Sequence, residues 1–125
     1  MPDLAPVRIL VAEDEYLLAD ALADALIALG AQVVGPVGGL AEALALLATV
    51  PVDGAVLDIN LRGEMVFPLA DALAASGVSY VFATGYGHES IPERYRDVPT
   101  LSKPVDVQSL KPLLDAAGGA QPPSH

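Results

Sequence analysis

Several polar residues in this 125-residue chain share one setting, each closing a short run that reads as a strand. Glu13 and Asp14 follow Arg8-Ile-Leu-Val-Ala12, and Asp58 follows Gly54-Ala-Val-Leu57. Thr84 closes the stretch from Val78 to Ala83, and Lys103 follows Thr100-Leu-Ser102. Taken singly, each has a plain reading. An acid after a strand often caps the next helix, a Thr before Gly is often a turn residue, and a Lys before Pro is usually solvated. Asp58 fits such a reading least, because no helical pattern begins directly after it. Together the residues point further. Carboxylates gathered in one crevice repel each other unless a cation joins them. Mg²⁺, a hard ion that takes one or two carboxylates with phosphate oxygens and water, answers that need. Asp58 then becomes a carboxylate nucleophile able to form an acyl phosphate. Thr84 would donate its hydroxyl to one phosphoryl oxygen, Lys103 would pair with a second, and the cation would hold the third. The charge developing during transfer is thereby met on every side.

The elements that must position these groups follow from the pattern. Arg8 to Ala12 is an apolar run of the kind that forms a buried parallel strand. Leu18, Leu22, Ala25, Leu26 and Leu29 then recur at helical spacing, with Asp14 or Glu15 at the entry and Gly30 just past the end. Gln32-Val-Val34 predicts a second strand ended by Gly35-Pro36, and Leu40 to Ala48 a second helix closed before Pro51. Gly54 to Leu57 is a third buried strand, followed by a loop over residues 60–64. Pro68 suits the first turn of a third helix that runs to Gly77. Val78 to Ala83 is the fourth strand. Residues 85–99 are polar, hold two prolines and support only a short helix from about Pro92. Thr100 to Ser102 is a weak fifth strand, and a last helix begins near Asp106, where Pro112 should kink it or delay its start. Strands alternating with helices predict an α/β fold, a doubly wound five-stranded parallel sheet covered on both faces. Chemistry in such sheets gathers beyond the carboxyl ends of the strands, where these polar residues fall.

Composition narrows the function. Hydrophobic residues are 53% of the chain and aromatics 5%, so the core must be built of Ala, Leu and Val. Asp and Glu number 16 against 6 Lys and Arg, a balance that disfavours nucleic acid and anionic lipid as partners. With no cysteine there is no disulfide, zinc-thiolate site or thiol nucleophile. The N-terminal residues carry Asp3, Arg8, Glu13, Asp14 and Glu15 where a secretory signal would be apolar. The most apolar stretch, residues 25–41, is broken by Gly30, Gln32, Gly35, Pro36, Gly38 and Gly39. A soluble, cytoplasmic protein is expected, with a domain over residues 1–118 and a flexible tail over 119–125.

Ile9-Leu-Val-Ala-Glu-Asp-Glu15, Leu57-Asp-Ile-Asn-Leu61, Ala83-Thr-Gly85 and Lys103-Pro104 resemble, in order and spacing, the signature blocks of the receiver domains of two-component response regulators. The resemblance covers nearly the whole chain to about Gly118 and implies a flavodoxin-like sheet of strand order 2-1-3-4-5. It implies that Asp58 is the phosphoacceptor, with Thr84 and Lys103 as its hydroxyl and amine. It implies Mg²⁺, or Mn²⁺ in its place, bound by Asp14, Asp58 and the backbone carbonyl of Asn60, with Glu13 acting through water. The activity implied is not that of an enzyme proper. The resemblance implies a bacterial signalling protein that accepts a phosphoryl group from a sensor histidine kinase, catalysing its own phosphorylation and dephosphorylation. A downstream protein or phosphotransfer protein would be its partner, and it would be a monomer or weak dimer.

Some features depart from the usual pattern. Three residues before the lysine the family usually has Tyr or Phe, which swings inward on phosphorylation; here it is Thr100. The interval from Thr84 to Lys103 is short, at the expense of the fourth helix. Phe82-Ala-Thr-Gly-Tyr-Gly87 resembles the Phe-Ala-Thr-Gly-X-Tyr motif of an atypical subgroup common in alphaproteobacteria, as does Val66-Phe-Pro-Leu69. Members of that subgroup are often stand-alone receivers. Tyr86 and Thr100 are therefore the expected modulating positions, with phosphorylation ordering the Tyr86 loop and the short fourth helix. Asn60 and Tyr86 are also expected to tune the lifetime of the acyl phosphate. No effector segment follows the last helix, so action by docking to a separate protein is expected. The rivals are a phosphate sink for a shared kinase, a pseudo-receiver that binds without phosphorylation, and an aspartyl-nucleophile phosphatase. The last would want a second Asp where Asn60 stands.

Overall fold

The structure is a computed structural model that describes residues 6–85 and 91–118. The chain runs β1 (Arg8–Ala12), α1 (Tyr16–Ala28), β2 (Gln32–Val37), α2 (Leu40–Thr49), β3 (Gly54–Asp58), a short ribbon β4 (Asn60–Leu61) and β5 (Glu64–Met65), then α3 (Phe67–Ala75) and β6 (Ser79–Thr84). A 3-10 turn at Glu93–Tyr95, β7 (Thr100–Ser102) and α4 (Val107–Gly118) complete it. The main sheet has five parallel strands in the order β2-β1-β3-β6-β7. With the ribbon set aside, this is the expected order 2-1-3-4-5. The expected tail over 119–125, and with it Tyr86, lies outside the described residues.

The central strands are apolar along their whole length because both faces are covered. Leu10, Ala12, Ala55, Leu57 and Phe82 pack toward α2 and α3, while Ile9, Val11, Val56, Val81 and Ala83 pack toward α1 and α4. Period-2 alternation sends neighbouring residues to opposite cores.

Three local expectations need correction. β2 does not stop at Gly35-Pro36 but continues to Val37. The register advances two residues on β1, Leu10 to Ala12, against three on β2, Val34 to Val37. The extra residue is a bulge. Gly35 takes it at φ +97°, and a Cβ there would lie 2.9 Å from the Val37 nitrogen. The polar run after Asp58 is not a plain loop but an antiparallel ribbon, pairing Asn60 with Met65 and Leu61 with Glu64. It holds because Leu61 and Val66 are fully buried. Pro112 does not delay the last helix, which starts at Val107 and carries the proline inside it. Leu110 and Leu113 bury its inner face, a packing gain that outweighs one missing backbone hydrogen bond.

By sequence, residues 85–99 are polar and support only a short helix. From Ile91 onward they are tied down. Tyr95 is buried, stacked on Phe67 at 4.8 Å between ring centroids and edge-on to Phe82. Its hydroxyl donates to the Asp71 carboxylate of α3, and Arg94 pairs with the same carboxylate at 3.2 Å. Burial, then the bond to Asp71, pushes the Tyr95 phenol up to about 12, so it remains a proton donor at ordinary pH. Among the described residues no helix is long and apolar enough to cross a membrane.

Candidate functional site

Sheet register brings the chemistry together. Ala12 pairs with Leu57, so Glu13 and Asp58 leave the sheet side by side. Asp58 pairs with Ala83 and Thr84 with Ser102, which sets Thr84 and Lys103 along the same rim. The Lys103 amide donates to the Thr84 carbonyl at 2.9 Å, fastening the two strand ends. Asp14, Asp58, Asn60, Thr84 and Lys103 all line one open cleft of about 610 Å³.

The Lys103 ammonium is the hub of the charges. Nζ lies 2.7 Å from Glu13 Oε1 and 3.0 Å from Asp58 Oδ2. Burial alone would lower the Lys103 amine, but hydrogen bonds to Glu13 and Asp58 reverse that and hold it above the ordinary lysine range. Burial, with the adjacent Glu13 charge, pushes the Asp58 carboxyl up to about 6 against the pull of Lys103 and the Asn60 amide. Asp58 is thus mostly ionised at neutral pH, yet carries more negative charge nearby than one lysine neutralises.

Glu13 is nearly inaccessible, and both of its carboxylate oxygens are engaged. Oε1 takes Lys103 and Oε2 accepts the Glu15 amide at 3.0 Å. It lies beneath Lys103 and lines a small cavity of about 40 Å³ against α1. Asp14 is exposed at the cleft, and its Oδ2 accepts the Arg62 amide at 2.8 Å. One carboxylate oxygen from each of Glu13, Asp14 and Asp58 lies within 4.8 Å of the others. That oxygen-only donor set, with its surplus of negative charge, fits a hard divalent cation. Asn60 borders the cleft, but its side-chain Oδ1 accepts the Gly63 amide at 2.7 Å, so its carboxamide carbonyl builds the ribbon turn. Its backbone amide reaches Asp58 Oδ1 at 3.3 Å.

Thr84 is buried at the cleft wall. Thr100 is not brought to the cleft. It sits level with Phe82, two residues back from the rim, and its hydroxyl faces the Val98 carbonyl at 3.5 Å. Sequence reasoning passed over Arg62, whose amide holds Asp14. A Gly after it was the available signal, but Arg in place of the usual Asn made a tight hairpin turn hard to read.

No family model matches the chain. The transcriptional regulatory protein PdtaR of Mycobacterium tuberculosis, in two strains, is 28% identical over 116 residues, which cover 90% of this chain and 57% of PdtaR. The chain thus spans little more than half the length of these curated relatives. The solution structure of SdrG from Sphingomonas melonis Fr1 is 43% identical, with a TM-score of 0.80 over 90% of this chain and 97% of SdrG. The BeF3-activated conformation of SdrG gives 42% identity and a TM-score of 0.73 over 93% of this chain and 98% of that one. A CheY-like response regulator receiver domain from Methylobacillus flagellatus shares the fold, with a TM-score of 0.79 at 24% identity over 90% of this chain and 99% of that one. A five-stranded sheet in this order, with acids and a lysine at its carboxyl edge and a relative of this identity along nearly its whole length, has one family. The chain belongs to the response-regulator receiver domains of two-component systems.

Proposed function

We propose that this receiver takes a phosphoryl group from the phosphohistidine of a sensor histidine kinase onto Asp58. It then signals in the cytoplasm by phosphorylation-dependent binding to another protein or by passing the group on. The observation that carries this reading is the Lys103 ammonium, 3.0 Å from Asp58 and 2.7 Å from Glu13. Attack by Asp58 on the phosphorus forms a carboxyl–phosphate bond as the histidine nitrogen–phosphorus bond breaks. The imidazole leaves with the electron pair. Three phosphoryl oxygens then need partners. Lys103 is placed to move from the Asp58 carboxylate to one of them, and the Thr84 hydroxyl on the same rim serves another. Asp14, Asp58 and the Asn60 carbonyl would hold Mg²⁺ or Mn²⁺, which supplies charge neutralisation to the remaining oxygen. Glu13 keeps Lys103 at the site.

BeF3 activation of the related SdrG supports this phosphoacceptor reading. The Phe82-to-Gly87 sequence, with Gly87 where the motif has its tyrosine, supports membership of the Phe-Ala-Thr-Gly-X-Tyr subgroup, with Tyr86 and the ring-less Thr100 position as modulators of the output. Transfer of label from a phosphorylated kinase tests the reading. Label should reach the wild type with Mg²⁺, should fail with a chelator present, and should be absent from Asp58→Asn. Equal labelling of that variant would overturn it.

A further inference from the structure

The ribbon that follows Asp58 turns at Arg62 and Gly63, both with positive φ, +53° and +88°. Such two-residue hairpin turns favour Asn-Gly, because in this backbone region a Cβ crowds the following carbonyl oxygen, a cost that glycine escapes and Asn tolerates. Arg62 is the one non-glycine residue with positive φ among the described residues. A backbone outlier beside a reactive site calls for a local reason.

That reason is visible at both ends of Arg62. Its amide donates to Asp14 Oδ2 at 2.8 Å. Its guanidinium lies over the β2–α2 connection, where Gly38 and Gly39 leave room for it. A Cβ on Gly38 would come 2.8 Å from Arg62 Nη2, and one on Gly39 3.6 Å from Nη1. Beyond the glycines the guanidinium approaches Glu42 of α2 at 3.8 Å. The turn is closed from inside by the Gly63 amide on Asn60 Oδ1. Through the Asn60 amide on Asp58 and the Arg62 amide on Asp14, the ribbon is thus tied to two of the three clustered acids.

We infer that Arg62 is a positioning residue for the divalent-ion site: its side chain, seated over Gly38 and Gly39, holds a strained turn whose amide orients the Asp14 carboxylate. This rests on the phosphoacceptor reading, in which Asp14 is an ion ligand. Asp14 lines the cleft, and one of its oxygens accepts the Arg62 amide. Hydrogen-bond partners of ligands govern metal affinity in this way without touching the ion.

Two substitutions separate the amide from the guanidinium. Arg62→Ala keeps an amide but removes the anchor that holds positive φ. Arg62→Gly also removes the anchor, yet occupies positive φ without strain. Calorimetric titration of MgCl₂ into the full chain reads the outcome, with thermal unfolding in chelator as a check on the fold. Arg62→Ala should weaken Mg²⁺ about tenfold. Arg62→Gly should return to within about threefold of wild type, because the turn reforms unaided. Wild-type affinity in Arg62→Ala would overturn the inference, and so would an Arg62→Gly as weak as the alanine variant. A wild-type chain that binds no Mg²⁺ would overturn the ion-site reading itself. Wild-type binding with an indifferent Arg62→Ala would overturn the positioning role alone.

Discussion

Replacing Asp58 by Asn should stabilise the fold when no divalent cation is present, although it removes the proposed reactive group. The folded-state carboxyl lies at about 6 against an ordinary 3.8, raised chiefly by burial and then by the Glu13 charge. A raised carboxylate pKa means that its ionised form is the strained one. Its contribution to stability is complete below 3.8 and is lost as pH rises through about 6. Moving from 3.8 to about 6 corresponds to about 3 kcal/mol at pH 8, before solvent screening in an open cleft. Screening and the weaker Asn–Lys103 bond cut the gain to roughly 1–2 kcal/mol, or about 4–10 °C in Tm for a domain of this size. Thermal unfolding followed by far-UV circular dichroism, in chelator near pH 8 and near pH 4, provides the assay. Asp58→Asn should melt higher at pH 8, and the difference should largely vanish at pH 4, where the wild-type carboxyl is protonated. A lower Tm for the variant at pH 8, or a gain that persists undiminished at pH 4, would refute the electrostatic reasoning.

Other expectations follow from the same contacts. Lys103→Met removes the cation from a Glu13 side chain that is 2% exposed, and should cost roughly 3 kcal/mol at pH 8. Adding Glu13→Gln should recover part of that loss; no recovery in the double variant would contradict the pairing. Mg²⁺ affinity measured by calorimetry should fall as pH drops through about 6, by up to about tenfold per pH unit, because protons compete for Asp58. An affinity that is flat from pH 7.5 to pH 5 would exclude Asp58 from the ion site. Tyr95→Phe keeps the aromatic packing but loses the donor to Asp71, and should lower stability by roughly 1 kcal/mol. Amide exchange should quicken over residues 93–96, and unchanged protection there would show that the hydroxyl bond does not hold the turn.

The parts of this fold visible in the sequence are those set by local pattern. The apolar runs Arg8–Ala12 and Gly54–Leu57 have no other stable reading once helices cover both faces of a sheet. Strand ends could then be read as site positions, which is why Glu13, Asp14, Asp58, Thr84 and Lys103 fall on one rim. What stayed hidden depends on partners distant in sequence. Gly35-Pro36 looks like a stop, and only pairing with β1 carries the chain through it as a bulge. Arg62 has no propensity for its turn, and its conformation is held by Asp14 and by the glycines of the β2–α2 connection. Tyr95 sits in a polar stretch that reads as loose. A single buried ring and its bond to Asp71 fasten that stretch to α3. Glu13 reads from the sequence as an acid of the ion site; it does join Asp14 and Asp58 in one cluster, and only the fold reveals its contacts with Lys103 and the Glu15 amide.

The central claim is that Asp58 accepts a phosphoryl group at this cleft. Mass spectrometry after incubation with a small-molecule phosphodonor and Mg²⁺ tests it most directly, with borohydride reduction marking the acyl phosphate before peptide mapping. The wild type should gain the mass of one phosphoryl group, and the reduced residue should map to position 58. A wild-type chain that is never modified under these conditions, or an Asp58→Asn chain modified to the same extent, would contradict the claim.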